Sequence, residues 1–90
     1  DSALLVSLAD KVHNSEATLQ IIRAGTTATT FYCEPGFNAK APAQKWHYSS
    51  LANVFREKLG GNAQALPLVR RLEAAVDEIF IGVEAEAPSR

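Results

Sequence analysis

The sequence has very little cysteine and no methionine, and both shortages are informative. Its 90 residues include one cysteine, Cys33. A lone cysteine cannot form an internal disulfide, and it excludes a cysteine-rich zinc module. Because no methionine is present, the sequence does not begin at a start codon. We therefore expect either a processed chain or a piece of a longer protein.

The chain also lacks an excess of either charge and any long apolar run. Its 9 basic and 10 acidic side chains give a formal charge of -1. That balance provides neither the basic footprint that nucleic acid requires nor a polybasic membrane anchor. No apolar run approaches the roughly 20 residues that cross a bilayer, and no signal-peptide pattern is visible. We expect a small cytoplasmic domain whose partners include no nucleic acid and no membrane.

Hydrophobic periodicity predicts an all-α fold. Apolar residues recur at helical spacing in three segments, which are 2–24, 41–59 and 65–81. Gly25 follows the first segment and Gly60 the second, as expected for helix ends. In the third helix, Arg70 and Arg71 precede Glu73 and Asp77 at spacings that allow weak surface ion pairs.

The aromatic residues are expected to build much of the core. In the second helix we predict an apolar stripe through Trp46, Ser50 and Val54, with Leu51, Phe55 and Leu59 beside it, and we expect Trp46, Tyr48 and Phe55 to be core residues. Segment 26–39 favours a loop with a short helical turn, plugged into the core by Phe31, Tyr32 and Phe37. A two-stranded hairpin is the alternative there. The division is a domain over 1–82 and a flexible tail over 83–90.

A polar group interrupts the apolar pattern of the first helix. Asp10 and Asn14 are four residues apart, so they lie on one face of a helix. A buried carboxylate needs a cation, a metal or several hydrogen-bond donors, whereas an exposed one needs nothing. On composition alone the solvated interpretation is favoured over the ligand interpretation, because helix carboxylates are usually exposed.

The stretch ALLVSLADKVHN over residues 3–14 resembles the helix that closes the metal site of HD-domain phosphohydrolases. Among them it is most similar to the guanosine polyphosphate, (p)ppGpp, hydrolases of the RelA/SpoT type and their small stand-alone relatives. Segments 37–38, 46–48 and 67–69 resemble the same proteins. The resemblance spans residues 3–80 and implies the C-terminal half of an HD domain.

The resemblance also implies chemistry for three residues. Asp10 would be the last ligand of a divalent metal ion, with Mn²⁺ expected, and Asn14 and Lys11 would contact a nucleotide substrate. The implied reaction is hydrolysis of a phosphoester or pyrophosphate. His13 would flank the pocket, although a partly buried structural imidazole is the interpretation that we favour for it.

Two departures from the family pattern limit these expectations. The chain contains no His-Asp dipeptide, and its other histidine, His47, follows Asp10 instead of preceding it. Glu16 stands where such hydrolases commonly carry arginine, and a carboxylate there would repel phosphates. We therefore expect the 90-residue chain alone to be inactive, with the N-terminal half of the domain absent from this sequence.

The alternative is a non-catalytic interaction module that dimerises through exposed apolar helix faces. The position of Asp10 distinguishes the two hypotheses. A hydrolase would place Asp10 and Asn14 together on a concave face. An interaction module would leave Asp10 in bulk water or paired with a lysine.

Overall fold

The computed structural model describes residues 2–37 and 39–87 and contains four helices within them. They are α1 (Ser2–Arg23), α2 (Ala28–Phe31), α3 (Ala41–Leu59) and α4 (Leu66–Ile79). No strand is present in the described residues, so the all-helical class is confirmed and the hairpin alternative for 26–39 is wrong. Asn38 and the last three residues of the predicted tail lie outside the description.

Helices α1 and α4 pack side by side in parallel, because two ion pairs join them in a constant register. Glu16 pairs with Arg71, and Arg23 pairs with Glu78, so that both pairs are separated by 55 residues. Each arginine uses two nitrogen atoms to contact both carboxylate oxygens, at 2.5–3.0 Å. This bidentate geometry adds specificity to the register, while the buried faces of the two helices set their rotation.

Helices α3 and α4 form an antiparallel hairpin. Arg56 near the end of α3 contacts Glu73 in α4 through two hydrogen bonds of 2.7 Å. The connection is closed by Asn62, whose Oδ1 accepts hydrogen bonds from the backbone N–H groups of Gln64 and Ala65 at 2.8 and 3.2 Å. An asparagine that satisfies the backbone two and three residues ahead is typical of such turns.

The intrahelical ion pairs predicted for α4 are only partly confirmed. The Arg56 hydrogen bond is the main cause that lowers the pKa of Glu73, and Arg70 adds a weaker attraction from within α4. Arg71 reaches across to Glu16 on α1, and Glu73 is taken by Arg56 on α3. Guanidinium groups pair most effectively with a carboxylate that faces them squarely, and neighbouring helices offer that geometry here. Helix α4 is thus tied to both of its long neighbours.

The core lies where α1, α3 and α4 meet. Helix α4 has more buried residues than any other helix, namely Val69, Leu72, Ala75, Val76 and Ile79. Leu8 on α1 and Phe55 on α3 complete the centre, with 0% and 2% of their surfaces exposed. Spacings of three and four residues in α1 then bury Val12, Ser15 and Leu19, and the Ser15 Oγ donates to the Val12 carbonyl at 3.1 Å.

The predicted stripe of α3 is only partly correct. Phe55 is buried and Tyr48 is half-buried against the core, but Trp46 is 39% exposed and Val54 is 44% exposed. The buried series instead includes Ala52, Phe55 and Leu59. Two apolar series run along this helix, and only one can face α4, so the other is left at the surface.

Segment 26–37 has the predicted irregular path with a short helix. Thr27 caps α2, because its Oγ1 accepts a hydrogen bond from the Thr30 backbone N–H at 3.2 Å. Tyr32 is buried, Phe31 is half-buried, and Phe37 is 40% exposed although its ring lies 5.0 Å from each of the other two. The expected aromatic plug is confirmed for Tyr32 and incomplete for Phe37.

Residues 83–87 have no regular secondary structure, but they lie against α3. The Lys45 ammonium donates to the Val83 carbonyl at 2.5 Å, and the Glu86 N–H donates to the Pro42 carbonyl at 3.0 Å. Val83 packs against the core. The described part of the tail is therefore attached to α3 at both Val83 and Glu86.

Candidate functional site

Asp10, Lys11 and Asn14 form a hydrogen-bonded cluster on the outer surface of α1. The Asp10 Oδ2 accepts from the Asn14 amide at 3.3 Å and from the Lys11 ammonium at 3.3 Å. The Asp10 side chain is 58% exposed and that of Lys11 is 30% exposed. Asp10 and Asn14 therefore share one face of the helix, as their spacing predicted.

The half-buried phenol of Tyr48 on α3 responds electrostatically to this cluster. Burial raises the pKa of Tyr48, the Lys11 ammonium lowers it, and the Asp10 carboxylate raises it. The His47 and Tyr48 rings meet edge to face, with centroids 5.9 Å apart. The Tyr48 phenol therefore lies within electrostatic range of Asp10 and Lys11.

The donor set of the cluster does not suit a metal ion by itself. Catalytic metal sites generally use about three protein ligands, and Asp10 supplies one carboxylate. Its Oδ2 is already contacted by an ammonium group, which competes with a cation. Within residues 2–37 and 39–87, no group of three or more His, Cys, Asp or Glu side chains is placed to hold a metal.

A groove lies between α1 and α4. Its walls include His13 and Glu16, for which other roles were predicted. The groove has a volume of about 540 Å³. Its polar walls include His13, Glu16, Arg23, Arg71 and Glu78, and three alanines, Leu19 and Gln20 complete the lining. His13 is exposed there, so its interpretation as a partly buried imidazole is wrong. A helix with its apolar stripe at Leu8 and Val12 turns the following histidine away from the core.

Glu16, which was expected to repel phosphates, forms an ion pair with Arg71 within the fold. The Arg71 guanidinium donates to it and holds the pKa of the Glu16 carboxyl below its usual range, with His13 adding a smaller effect in the same direction. Spacing within one helix could not indicate this contact, because the two residues are 55 positions apart. Parallel helices with matching spacings of opposite charge were the only available signal.

A second groove of about 500 Å³ lies beside the start of α3. Its walls include Phe37, Trp46 and His47, and the Gln44 side chain donates to the Ala39 carbonyl at 3.3 Å nearby. Neither Asp10 nor Asn14 lines this groove or the α1–α4 groove. The exposed Cys33 is separate from both.

Comparisons with protein families, with characterised proteins and with solved structures gave no match. No described helix is both long and apolar enough to span a membrane. Helices are the only regular secondary structure in residues 2–37 and 39–87, and a function can be inferred only from the residues themselves.

Proposed function

We propose that this chain is the C-terminal part of an HD-type, metal-dependent phosphohydrolase domain that acts on a nucleotide phosphoester or pyrophosphate such as (p)ppGpp, in the cytoplasm. The observation that carries the proposal is the shared face of Asp10 and Asn14, which are joined by a hydrogen bond of 3.3 Å on the exposed side of α1. In the motif that these residues resemble, the carboxylate and the amide must point in one direction.

The proposal gives each residue of the cluster a role. Asp10 is one ligand of a divalent ion, proposed as Mn²⁺, whose other ligands come from residues that this sequence does not contain. Asn14 can turn its amide from Asp10 to a polar group of the nucleotide. Lys11 supplies positive charge beside the same face, where substrate phosphates would need it.

The cluster lies in neither of the two grooves, so the described residues alone do not form the concave face expected of a hydrolase, and the proposal requires another segment to complete the site. A carboxylate that is 58% exposed is available to a ligand, and the hydrogen bonds that hold it come from its own helix. The bound ion would polarise a phosphoryl oxygen and lower the pKa of a water molecule. Without the missing ligands, the 90-residue chain is expected to be inactive.

The full-length gene product provides the test. We expect it to contain Mn²⁺ and to hydrolyse a guanosine polyphosphate, and we expect Asp10→Asn to weaken Mn²⁺ binding by at least about tenfold. Asp77→Asn, a change of an exposed carboxylate on α4, is the matched control and should leave metal content unchanged. Metal content measured by mass spectrometry and hydrolysis measured by product release are independent readouts.

Two results would contradict the proposal. A full-length protein that is free of metal and binds no Mn²⁺ would remove its basis. Hydrolysis by residues 1–90 alone with added Mn²⁺, abolished by Asp10→Ala, would contradict the inactivity of the isolated chain.

A second candidate function, the non-catalytic interaction module, is favoured by the contact between Lys11 and Asp10. This is the lysine pairing that an interaction module was expected to show. The metal measurement distinguishes the two candidates, because an interaction module would bind no Mn²⁺ whether Asp10 is present or not.

A further inference from the structure

We propose that the α1–α4 groove is a self-complementary docking surface whose occupant is the same groove of a second copy of this chain. The inference goes beyond the proposed hydrolase function and does not rest on it. Its basis is the arrangement of the four charges that flank the groove, namely Glu16, Arg23, Arg71 and Glu78.

The sign of these charges alternates along each helix and also across the groove. Along α1 a negative Glu16 is followed seven residues later by a positive Arg23, while along the parallel α4 a positive Arg71 is followed seven residues later by a negative Glu78. Seven residues are two helical turns, or about 10 Å. Each corner of the groove therefore carries a charge opposite to that of both adjacent corners.

When a twofold rotation brings the grooves of two copies face to face, each charge of one copy lies opposite a charge of the other sign in the second copy. If the rotation axis runs along the groove, Glu16 faces the second copy's Arg71, and Arg23 faces its Glu78. If the axis crosses the groove, Glu16 faces the second copy's Arg23, and Arg71 faces its Glu78. In both arrangements every contact joins opposite charges, and a twofold dimer needs only one such patch.

The surface between the charges permits close approach. Ala17, Gln20 and Ala74 line the groove and are exposed, and two of the three have side chains no larger than a methyl group. Small side chains let helices approach closely. Self-association was expected from apolar helix faces, whereas charge complementarity directs it to this face.

The charged side chains of these ion pairs remain partly exposed, so they can also contact a second chain. The side chains of Arg23 and Arg71 are 52% and 55% exposed, and those of Glu78 and Glu16 are 40% and 37% exposed. Each arginine is paired within its own chain, so the fold does not depend on the dimer. Because complementary charges meet across the interface, association should weaken as salt screens them.

The first test measures association of the 90-residue chain by analytical ultracentrifugation. We expect a dimer at low ionic strength whose dissociation constant increases at least about tenfold between low and high salt. A chain that is monomeric at both, or a dimer insensitive to salt, would overturn the proposal.

The second test inverts the pattern while keeping both ion pairs within the chain. The variant combines Glu16→Arg, Arg23→Glu, Arg71→Glu and Glu78→Arg. It should form its own dimer, but it should not pair with the original chain, because like charges then meet in either groove alignment. Mixed species are measured by native mass spectrometry, and their formation in statistical proportion would contradict the proposal.

A matched control exchanges the ion pair between α3 and α4, which does not line the groove. Arg56→Glu combined with Glu73→Arg should mix freely with the original chain. If the inverted variant fails to fold, Ala74→Arg replaces it. That change adds bulk and charge to the exposed floor and should abolish the dimer, and a dimer that persists with unchanged affinity would overturn the proposal.

Discussion

Tyr32 illustrates at the residue scale how burial changes acid–base chemistry. Its side chain is 4% exposed and its ring stacks on Phe80, with centroids 5.8 Å apart. Burial raises the pKa of Tyr32 to about 12, the negative charge of Tyr48 adds to the effect, and a hydrogen bond with Thr18 opposes it. The folded protein therefore resists ionisation of this phenol.

We predict that the protein loses stability as pH rises from about 10 to about 12, because a tyrosine in the unfolded chain ionises near 10. The raised pKa stabilises the fold only while Tyr32 remains protonated, so the contribution is complete below pH 10 and disappears through the folded pKa. Urea denaturation across this range measures the loss.

Tyr32→Phe is the control for that prediction. It keeps the stacked ring and removes the ionisable group, so the urea midpoint should depend less on pH above 10, apart from the contribution of Tyr48, whose pKa burial also raises. An identical loss of stability in Tyr32→Phe would show that another group is responsible.

The candidate site was predictable from sequence only as far as local geometry reaches. Helical spacing alone placed Asp10 and Asn14 on one face, and the structure joins them by a hydrogen bond. Spacing could not show that Lys11 would contact the same carboxylate, nor that His13 would be exposed in a groove with α4. The first depends on the side-chain conformations of two adjacent residues in α1, and the second depends on how α4 is positioned against α1.

At the element scale, the glycines that follow the helices differ in why they are needed. Helix α1 ends at Arg23, and Gly25 then adopts a φ of +134°, a backbone conformation that a side chain disfavours. Helix α3 ends at Leu59, with Gly60 still in right-handed helical conformation. Gly61 has no positive φ, and nothing lies within 4 Å of a Cβ placed on it.

Alanine substitution should therefore change the free energy of unfolding differently at the two helix ends. We predict that Gly25→Ala lowers the free energy of unfolding by about 1–3 kcal/mol, because alanine strains the backbone at this φ. Gly61→Ala is the matched control, and its effect should stay within about 0.5 kcal/mol. Both are measured by urea denaturation, and equal effects at the two positions would contradict the conformational explanation.

The bounds of the helices were more predictable than which face of each helix is buried. Periodicity and glycine predicted 2–24, 41–59 and 65–81, and the observed helices agree within two residues at each end. Residues within one turn determine a helix, so local sequence suffices. The exposure of Trp46 and Val54 could not be inferred in this way, because α3 carries two apolar series and tertiary packing selects between them.

At the scale of the whole molecule, α4 is the element on which the others converge. Three bidentate ion pairs join it to its neighbours, through Glu16 and Arg23 on α1 and through Arg56 on α3. None of these contacts is local in sequence. The sequence could predict which charged residues would cover the outer side of α4, but not which helices they would contact. These residues are Arg70, Arg71, Glu73, Asp77 and Glu78.

These pairs make the stability of the whole fold sensitive to acid. Hydrogen bonds from arginine hold the pKa values of Glu16, Glu73 and Glu78 below their usual value of 4.5. A carboxyl group whose pKa is lowered by folding stabilises the protein above its unfolded pKa, and it loses that contribution as pH falls through the lowered value. Stability should therefore decline below pH 4.5.

We predict that replacing all three glutamates by glutamine lowers the free energy of unfolding at neutral pH. The free energy of unfolding should also decrease less as the pH falls, because the neutral amides do not take up a proton. Glu57→Gln, on an exposed α3 residue outside the four ion pairs seen in the described residues, should retain the original pH dependence. Urea midpoints measured from neutral pH to below pH 4.5, at protein concentrations low enough to keep the chain monomeric, separate this effect from association. A triple variant with the same acid slope as the original chain would show that the interhelical pairs do not set the acid limit of the fold.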